Sequence, residues 1–226
     1  MMNAKQAYDD PVLQLAQEYS EIVLKNFHVE RVFETYRFLN SVFSLSEVEA
    51  VFENVEKKLK TENTPEKPFR LIFTENIQNY RLEPAKLDPL PLPVQLAVVT
   101  SEEPTLTEHR FKFSDRSRWD ALLKKLPEGA HDVLLVKKDK AVETSRFNLF
   151  LHVEGARLVL TPPLSSGCLS GVFRKSLLQK KSVVLPDGQA VPVIEKDFSI
   201  ADIDKNKLFV GNSVRGLLAA GLFKIN

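Results

Sequence analysis

Two residues in the stretch Glu128–Lys181 have the type and position to bind a charged, phosphorylated small molecule. Glu143 stands at a strand start, and Gly171 opens a helix, where free N–H groups and the helix dipole both favour an anion. Other candidates are plainer on their own. Lys112, between Phe111 and Phe113, reads as a solvated strand residue, and Asn212-Ser213 as a turn. Cys168 reads as a small buried filler, because no histidine neighbours it in sequence. The histidines at 28, 109, 131 and 152 lack metal-ligand spacing, so no metal site is expected. Neither a P-loop nor a GxGxxG fingerprint occurs.

These residues need elements to position them. Val133–Val136, Phe147–Val153 and Leu158–Leu160 read as strands, and Pro162-Pro163 ends the pairing before the glycine loop. Upstream, Asp10–Asn26 reads as a helix, and Val32–Phe38 with Val42–Leu45 as a β-hairpin about Asn40-Ser41. Ser46 and Glu49 form a capping box for a helix burying Val48, Val51, Phe52, Val55 and Leu59. Phe69–Phe73 and Gln95–Val99 are strand-like, and the proline-rich Leu82–Pro93 connects the two halves. A helical segment spans Asp115–Lys125. Ser182–Leu185 and Ala190–Ile194 pair about Pro186-Asp187-Gly188, Ser199 caps a short helix, and Leu208–Val210 runs into Gly211-Asn212-Ser213. The expected organisation is α+β: a smaller mixed domain over residues 1–93 and a β-rich domain over 94–226.

Composition narrows the function classes. With 31 basic and 30 acidic residues, the chain has no general attraction for nucleic acid or anionic lipid. One cysteine excludes an internal disulfide and suits a reducing compartment. No apolar run is long enough to span a membrane, and the start shows no signal-peptide pattern, so a soluble cytoplasmic protein is expected.

The order of short motifs carries more than any one of them. It runs Phe33-Glu-Thr-Tyr-Arg37, Phe111-Lys-Phe-Ser-Asp-Arg116, Val142-Glu-Thr-Ser-Arg-Phe-Asn-Leu-Phe150, Thr161-Pro-Pro-Leu164, Leu169-Ser-Gly-Val-Phe-Arg174 and Gly211-Asn-Ser-Val-Arg-Gly216. This set resembles the class IV aminotransferase family, the fold type IV pyridoxal-phosphate enzymes, over residues 32–222. It looks most like the aminodeoxychorismate lyase branch. The resemblance implies a two-domain, D-amino-acid-aminotransferase-like fold with a shortened N-terminal half, pyridoxal 5'-phosphate as cofactor, a small-molecule amine as substrate, and a homodimer.

It also implies roles. Lys112, 31 positions before Glu143, matches the Schiff-base lysine, which a desolvated pocket beside Phe111 and Phe113 would help to deprotonate. Glu143 matches the acid that pairs with the pyridine nitrogen. Gly171 and Val172 match the backbone donors to the phosphate, and Asn212 and Ser213 the last polar loop. Arg116 and Arg174 fall at motif positions as charge partners or as structural residues. The sequence departs where the family's His-x-x-Arg-Leu falls on Val48 and Val51, which removes its phosphate-binding arginine, and Val29-Glu30-Arg31 replaces the usual Gly-Asp-Gly. The activities implied are aminodeoxychorismate lyase, then a branched-chain or D-amino-acid transaminase, and, given Val51, a catalytically degenerate homologue acting as a binding or structural protein.

Overall fold

The computed structural model describes residues 22, 24–61, 69–102 and 107–224. The chain divides into two compact units, residues 1–89 and 90–226. In the first, helices α1 (Lys25–Phe38) and α2 (Leu45–Thr61) accompany an antiparallel hairpin of β1 (Phe69–Phe73) and β2 (Tyr80–Pro84). Their shared core holds Val29, Tyr36, Val48, Val51, Phe52 and Ile77. Val48 and Val51 are almost completely buried, so an arginine at 51 would bring an uncompensated charge into this core.

Two expectations change here. The residues read as a hairpin over 32–45 lie largely in α1, because Val29, Val32, Phe33 and Tyr36 also satisfy helical spacing and pack on one side against the core. The cap of α2 is Ser44 with Glu47, not Ser46 with Glu49. Glu47 N–H donates to Ser44 Oγ at 3.3 Å, and Ser44 N–H donates to Glu47 Oε2 at 2.8 Å. The sequence Ser-Leu-Ser-Glu-Val-Glu contains both S-x-x-E pairs, and the tertiary core selects the earlier one. Most of the helix expected over 10–26 lies outside the described residues; Lys25 and Asn26 open α1 instead.

The second unit is built on β3 (Val94–Thr100), β4 (Asp132–Lys137), β5 (Lys140–Thr144), β6 (Asn148–Val153), β7 (Leu158–Thr161), β8 (Ser182–Val184), β9 (Ala190–Glu195), β10 (Lys207–Asn212) and β11 (Gly216–Leu222). The sheet order is β5-β4-β3-β11-β10-β6-β7-β9-β8. β3 runs parallel to β4 and β11, and β7 parallel to β9; the other pairings are antiparallel. Helices α3 (Ser117–Leu123), α4 (Val172–Lys180) and α5 (Ile200–Ile203) complete the unit.

The strand order has a geometric consequence. β5 lies at one edge and β6 lies well inside the sheet, yet the turn 145–147 joins them, and Thr144 N–H reaches Phe147 O at 3.0 Å. The sheet must therefore curl until its edge meets β6, around a core that includes Val94, Leu134, Val136, Phe147, Leu149, Leu151 and Val210. On the other side of β6, Phe150 meets Phe173 of α4 edge to face, with ring centres 5.9 Å apart. Burial on both faces explains why Val133–Val136 reads as a continuous apolar run and why Phe147–Val153 is apolar at every position but Asn148 and His152.

Several expected elements are present: the strand at Phe69–Phe73, the hairpin about Pro186–Gly188, and the Ser199 cap, which forms a capping box with Asp202. β2 takes up the first part of the proline-rich connection, ending at Pro84. The segment Phe111–Phe113 is irregular rather than a strand, and α3 starts at Ser117, whose N–H donates to Asp115 Oδ1 at 2.8 Å.

The cap assignment is testable by urea denaturation. Ser44→Ala should lower stability by about 1 kcal/mol, whereas Ser46→Ala should change it by less than about 0.5 kcal/mol. The reverse ranking would restore the later box.

Candidate cofactor site

Glu143 does not start a strand as expected: the left-handed turn at Lys138-Asp139 lets β5 begin at Lys140, so Glu143 is its next-to-last residue, and its carboxyl is buried. The turn that follows it is fixed by Asp132, a completely buried acid at the start of β4. Asp132 accepts from Val133 N–H (2.8 Å), Ser145 Oγ (2.6 Å), Ser145 N–H (3.3 Å), Thr144 Oγ1 (3.0 Å) and Arg146 Nε (3.3 Å). Each oxygen thus has several donors, which is what a carboxyl so deep requires.

Burial dominates the electrostatics of Glu143 and pushes its carboxyl up to about 8. The Leu169 N–H and the charges of Arg118, Lys137 and Arg116 oppose this, but they do not overcome it. At neutral pH the unliganded acid therefore holds its proton. Leu169 N–H donates to Glu143 Oε2 at 2.9 Å. That bond joins the acid to the loop ahead of α4.

The loop itself is held from β6. Asn148 Nδ2 donates to Leu169 O at 3.0 Å, and Gly171 N–H donates to the same oxygen at 2.8 Å. A Cβ on Gly171 would lie 1.9 Å from Asn148 Oδ1, so only glycine fits. Gly171 therefore supplies clearance rather than a free donor, because its N–H is already engaged. The N–H groups of Val172 and Phe173 open α4, where no preceding turn can accept them. A second close approach seats this helix on the sheet: a Cβ on Gly211 would lie 2.7 Å from the Phe173 ring.

Lys112 lies exposed between two anchors. Ser170 N–H donates to Arg110 O at 3.0 Å, and Arg116 Nη2 donates to Ser145 O at 3.0 Å. The segment 110–116 is thus tied at one end beside Gly171 and at the other beside the turn after Glu143. The desolvated surroundings expected from Phe111 and Phe113 are not found; Phe113 is itself exposed and Phe111 only half-buried.

Asn212 shapes the β10–β11 turn. Its Oδ1 accepts from Val214 and Arg215 N–H, and its Nδ2 reaches Arg146 O at 3.2 Å. Ser213 follows it, half-buried. Arg174 is engaged elsewhere: Nε and Nη2 donate to Pro162 O at 3.2 and 2.8 Å, and Nη2 also meets Glu195. It is a structural residue holding the Pro162 turn. Burial pushes the Cys168 thiol up to about 12, which suits a filler and not a nucleophile.

Glu143, the Leu169–Val172 loop and the Asn212 turn are therefore linked in one region, with the Lys112 segment tied across it. Sequence reasoning missed Asn148, Asp132 and the main chain of Leu169. The two side chains do leave a trace: each is a polar residue, of a type disfavoured in strands, opening an apolar run. A buried acid, a glycine clearance at a helix start and open first-turn N–H groups form a donor set that fits a cofactor with a ring nitrogen at one end and a phosphate at the other. Among the described residues, no group of three or more His, Cys, Asp or Glu could hold a metal ion, and no helix is long and apolar enough to cross a membrane.

The chain resembles known proteins in sequence pattern and in fold. The family model for class IV amino-transferases matches residues 18–221. A Mesorhizobium loti protein provisionally called an amino-acid aminotransferase is 24% identical, with a TM-score of 0.67 over 88% of this chain and 92% of that one. A hypothetical aminotransferase from Mycobacterium tuberculosis, solved in a PLP-bound form, is 16% identical, with a TM-score of 0.68 over 90% and 78%. The 4-amino-4-deoxychorismate lyase from Pseudomonas aeruginosa is 18% identical, with a TM-score of 0.66 over 89% and 78%. At these identities the likeness establishes the fold. Among proteins with curated descriptions, none matches this sequence.

The raised acid predicts a pH effect in the cofactor-free protein. Between the ordinary value of 4.5 and about 8, the unfolded chain releases a proton that folded Glu143 keeps. The unfolded state then binds fewer protons, so stability falls as pH rises. Glu143→Gln should remove this slope, a difference on the order of a few kcal/mol between pH 5 and 8. Urea denaturation across that range checks it, and parallel profiles for the two proteins would refute the buried acid.

Proposed function

The chain belongs to the class IV amino-transferase family, and on that premise we propose that it binds pyridoxal 5'-phosphate and acts as an aminodeoxychorismate lyase. The observation that carries the reading is the anchoring of the Lys112 segment, through Ser170 and Ser145, across the loop that joins Glu143 to the start of α4. The motif ending Asn212-Ser213-Val214-Arg215-Gly216 favours the lyase over its relatives.

When bound, the cofactor supplies an electron sink for the substrate carbon next to the amine. Glu143, which holds its proton at neutral pH, would face the ring nitrogen and share that proton with it. Leu169 N–H steadies one carboxyl oxygen during that exchange. The first-turn N–H groups of Val172 and Phe173 and the Ser213 hydroxyl hold the phosphate. Lys112 Nζ takes the proton from the amine-bearing ring carbon of the substrate. The electrons left behind form the ring double bond and break the bond to the ether oxygen. The enolpyruvyl group leaves with them and takes up a proton to become pyruvate, and 4-aminobenzoate remains.

The fully buried Val51 favours a second reading, a homologue that binds without catalysis, since the family's arginine has no place in this core. A transaminase, acting on a branched-chain or D-amino acid, uses the same residues but needs a keto acid acceptor. Small-molecule chemistry and a homodimer belong to all the catalytic readings.

Purified protein incubated with pyridoxal phosphate should turn yellow, and borohydride should fix the cofactor on Lys112. Given aminodeoxychorismate it should release pyruvate without added keto acid, and Lys112→Ala should lower that rate at least about a thousandfold. Strict need for a keto acid would assign a transaminase. A protein that takes up no cofactor would be the non-catalytic homologue.

A further inference from the structure

Asn148 touches two parts of the site that have separate chemical tasks. It is the first residue of β6, buried, and lies opposite Gly211 in the ladder. Its Nδ2 donates to Leu169 O, the carbonyl that also accepts Gly171 N–H. Its Oδ1 fills the space in which a Cβ of residue 171 would stand. The N–H of that same residue, Leu169, donates to Glu143. One side chain thus holds the carbonyl of Leu169, the residue whose N–H meets Glu143, and sets the distance of the Gly171 turn from the sheet.

We propose that Asn148 is a positioning residue that couples the acid end of the site to its anion end, through the main chain of Leu169. The proposal rests on the cofactor reading above and assigns Asn148 no proton transfer and no contact with substrate. Without Asn148 Nδ2, the Leu169–Ser170 peptide loses one of the two donors on its oxygen. It can then rotate, which changes the backbone angles at Leu169, draws the Leu169 N–H of the preceding peptide away from Glu143 and shifts the opening turn of α4. Both ends of a bound molecule would lose their fit together.

The geometry also makes Asn148 and Gly171 interdependent. Gly171→Ala in the native background must displace Asn148 Oδ1. In an Asn148→Ala background that obstacle is gone, so the second substitution should do much less further harm.

The test uses Asn148→Ala, Asn148→Ser, Gly171→Ala and the double variant Asn148→Ala/Gly171→Ala, each first shown to be folded by circular dichroism. Affinities for pyridoxal phosphate, for pyridoxal without the phosphate, and for inorganic phosphate are measured by fluorescence titration. The Glu143 carboxyl is followed in the cofactor-free protein by carbon NMR with labelled glutamate, with Arg116, Arg118, Lys137 and Cys168 left intact around it. Asn148→Ala and Asn148→Ser should weaken pyridoxal phosphate at least about tenfold and weaken both the phosphate-free ligand and inorganic phosphate as well. They should also move the Glu143 titration to higher pH, since a donor to its ionised form is lost. Gly171→Ala should weaken binding more in the native background than in Asn148→Ala.

Folded Asn148 variants with an unmoved Glu143 titration would overturn the proposal, as would additive effects of the two substitutions. If the native protein binds no pyridoxal phosphate, the proposed function falls on that result alone, and the titration in the cofactor-free protein then decides the role of Asn148 by itself.

Discussion

The buried carboxyl of Asp132 fixes where the site is built. It gathers the side chains or amides of Thr144, Ser145 and Arg146 onto the first residue of β4. An acid this deep is tolerated only when its oxygens are fully engaged, so removing a donor leaves an unmet polar demand of about 1–3 kcal/mol. The turn between β5 and β6 is held by that demand. Because the sheet curls to bring its edge strand to β6, the turn also closes the curl. Glu143 on one side of the turn and Asn148 on the other inherit its position.

From there the arrangement passes outward through the main chain. Glu143 and Asn148 grip opposite ends of the Leu169 residue, one at its N–H and one at its carbonyl. Gly171 and Gly211 then allow α4 to approach the sheet closely at both the loop and the Phe173 ring. Two competing effects act on Glu143: the surrounding cations favour its ionised form, and burial favours the neutral one. Burial wins, which leaves the acid loaded with a proton before any partner arrives.

Much of this was legible in the sequence. The apolar runs of β4 and β6 and the glycine opening α4 carry local signals, whereas Glu143 reads as a strand start and stands instead at the end of β5. Reading failed where a segment satisfied two periods at once. Val32–Phe38 fits a strand by composition and a helix by spacing, and only packing against Val48, Val51 and Phe52 decides between them. Arg174 stands at a motif position, yet its guanidinium turns to Pro162 O and Glu195, a choice made by partners that its own neighbours in sequence do not announce. The roles of Asn148 and Asp132 were hidden for the same reason. Each depends on a contact partner across the fold, and a polar residue opening a strand says only that some partner exists.

The bridge at position 169 is made from peptide atoms alone. Every amino acid except proline offers the same N–H and the same carbonyl, so the Leu169 side chain can drift without touching the link. Asn148 and Gly171 have no such freedom, since one supplies a specific amide and the other the absence of a side chain. Variation among descendants of this chain would therefore fall unevenly along three neighbouring positions, permissive at 169 and restrictive on either side of the contact it makes.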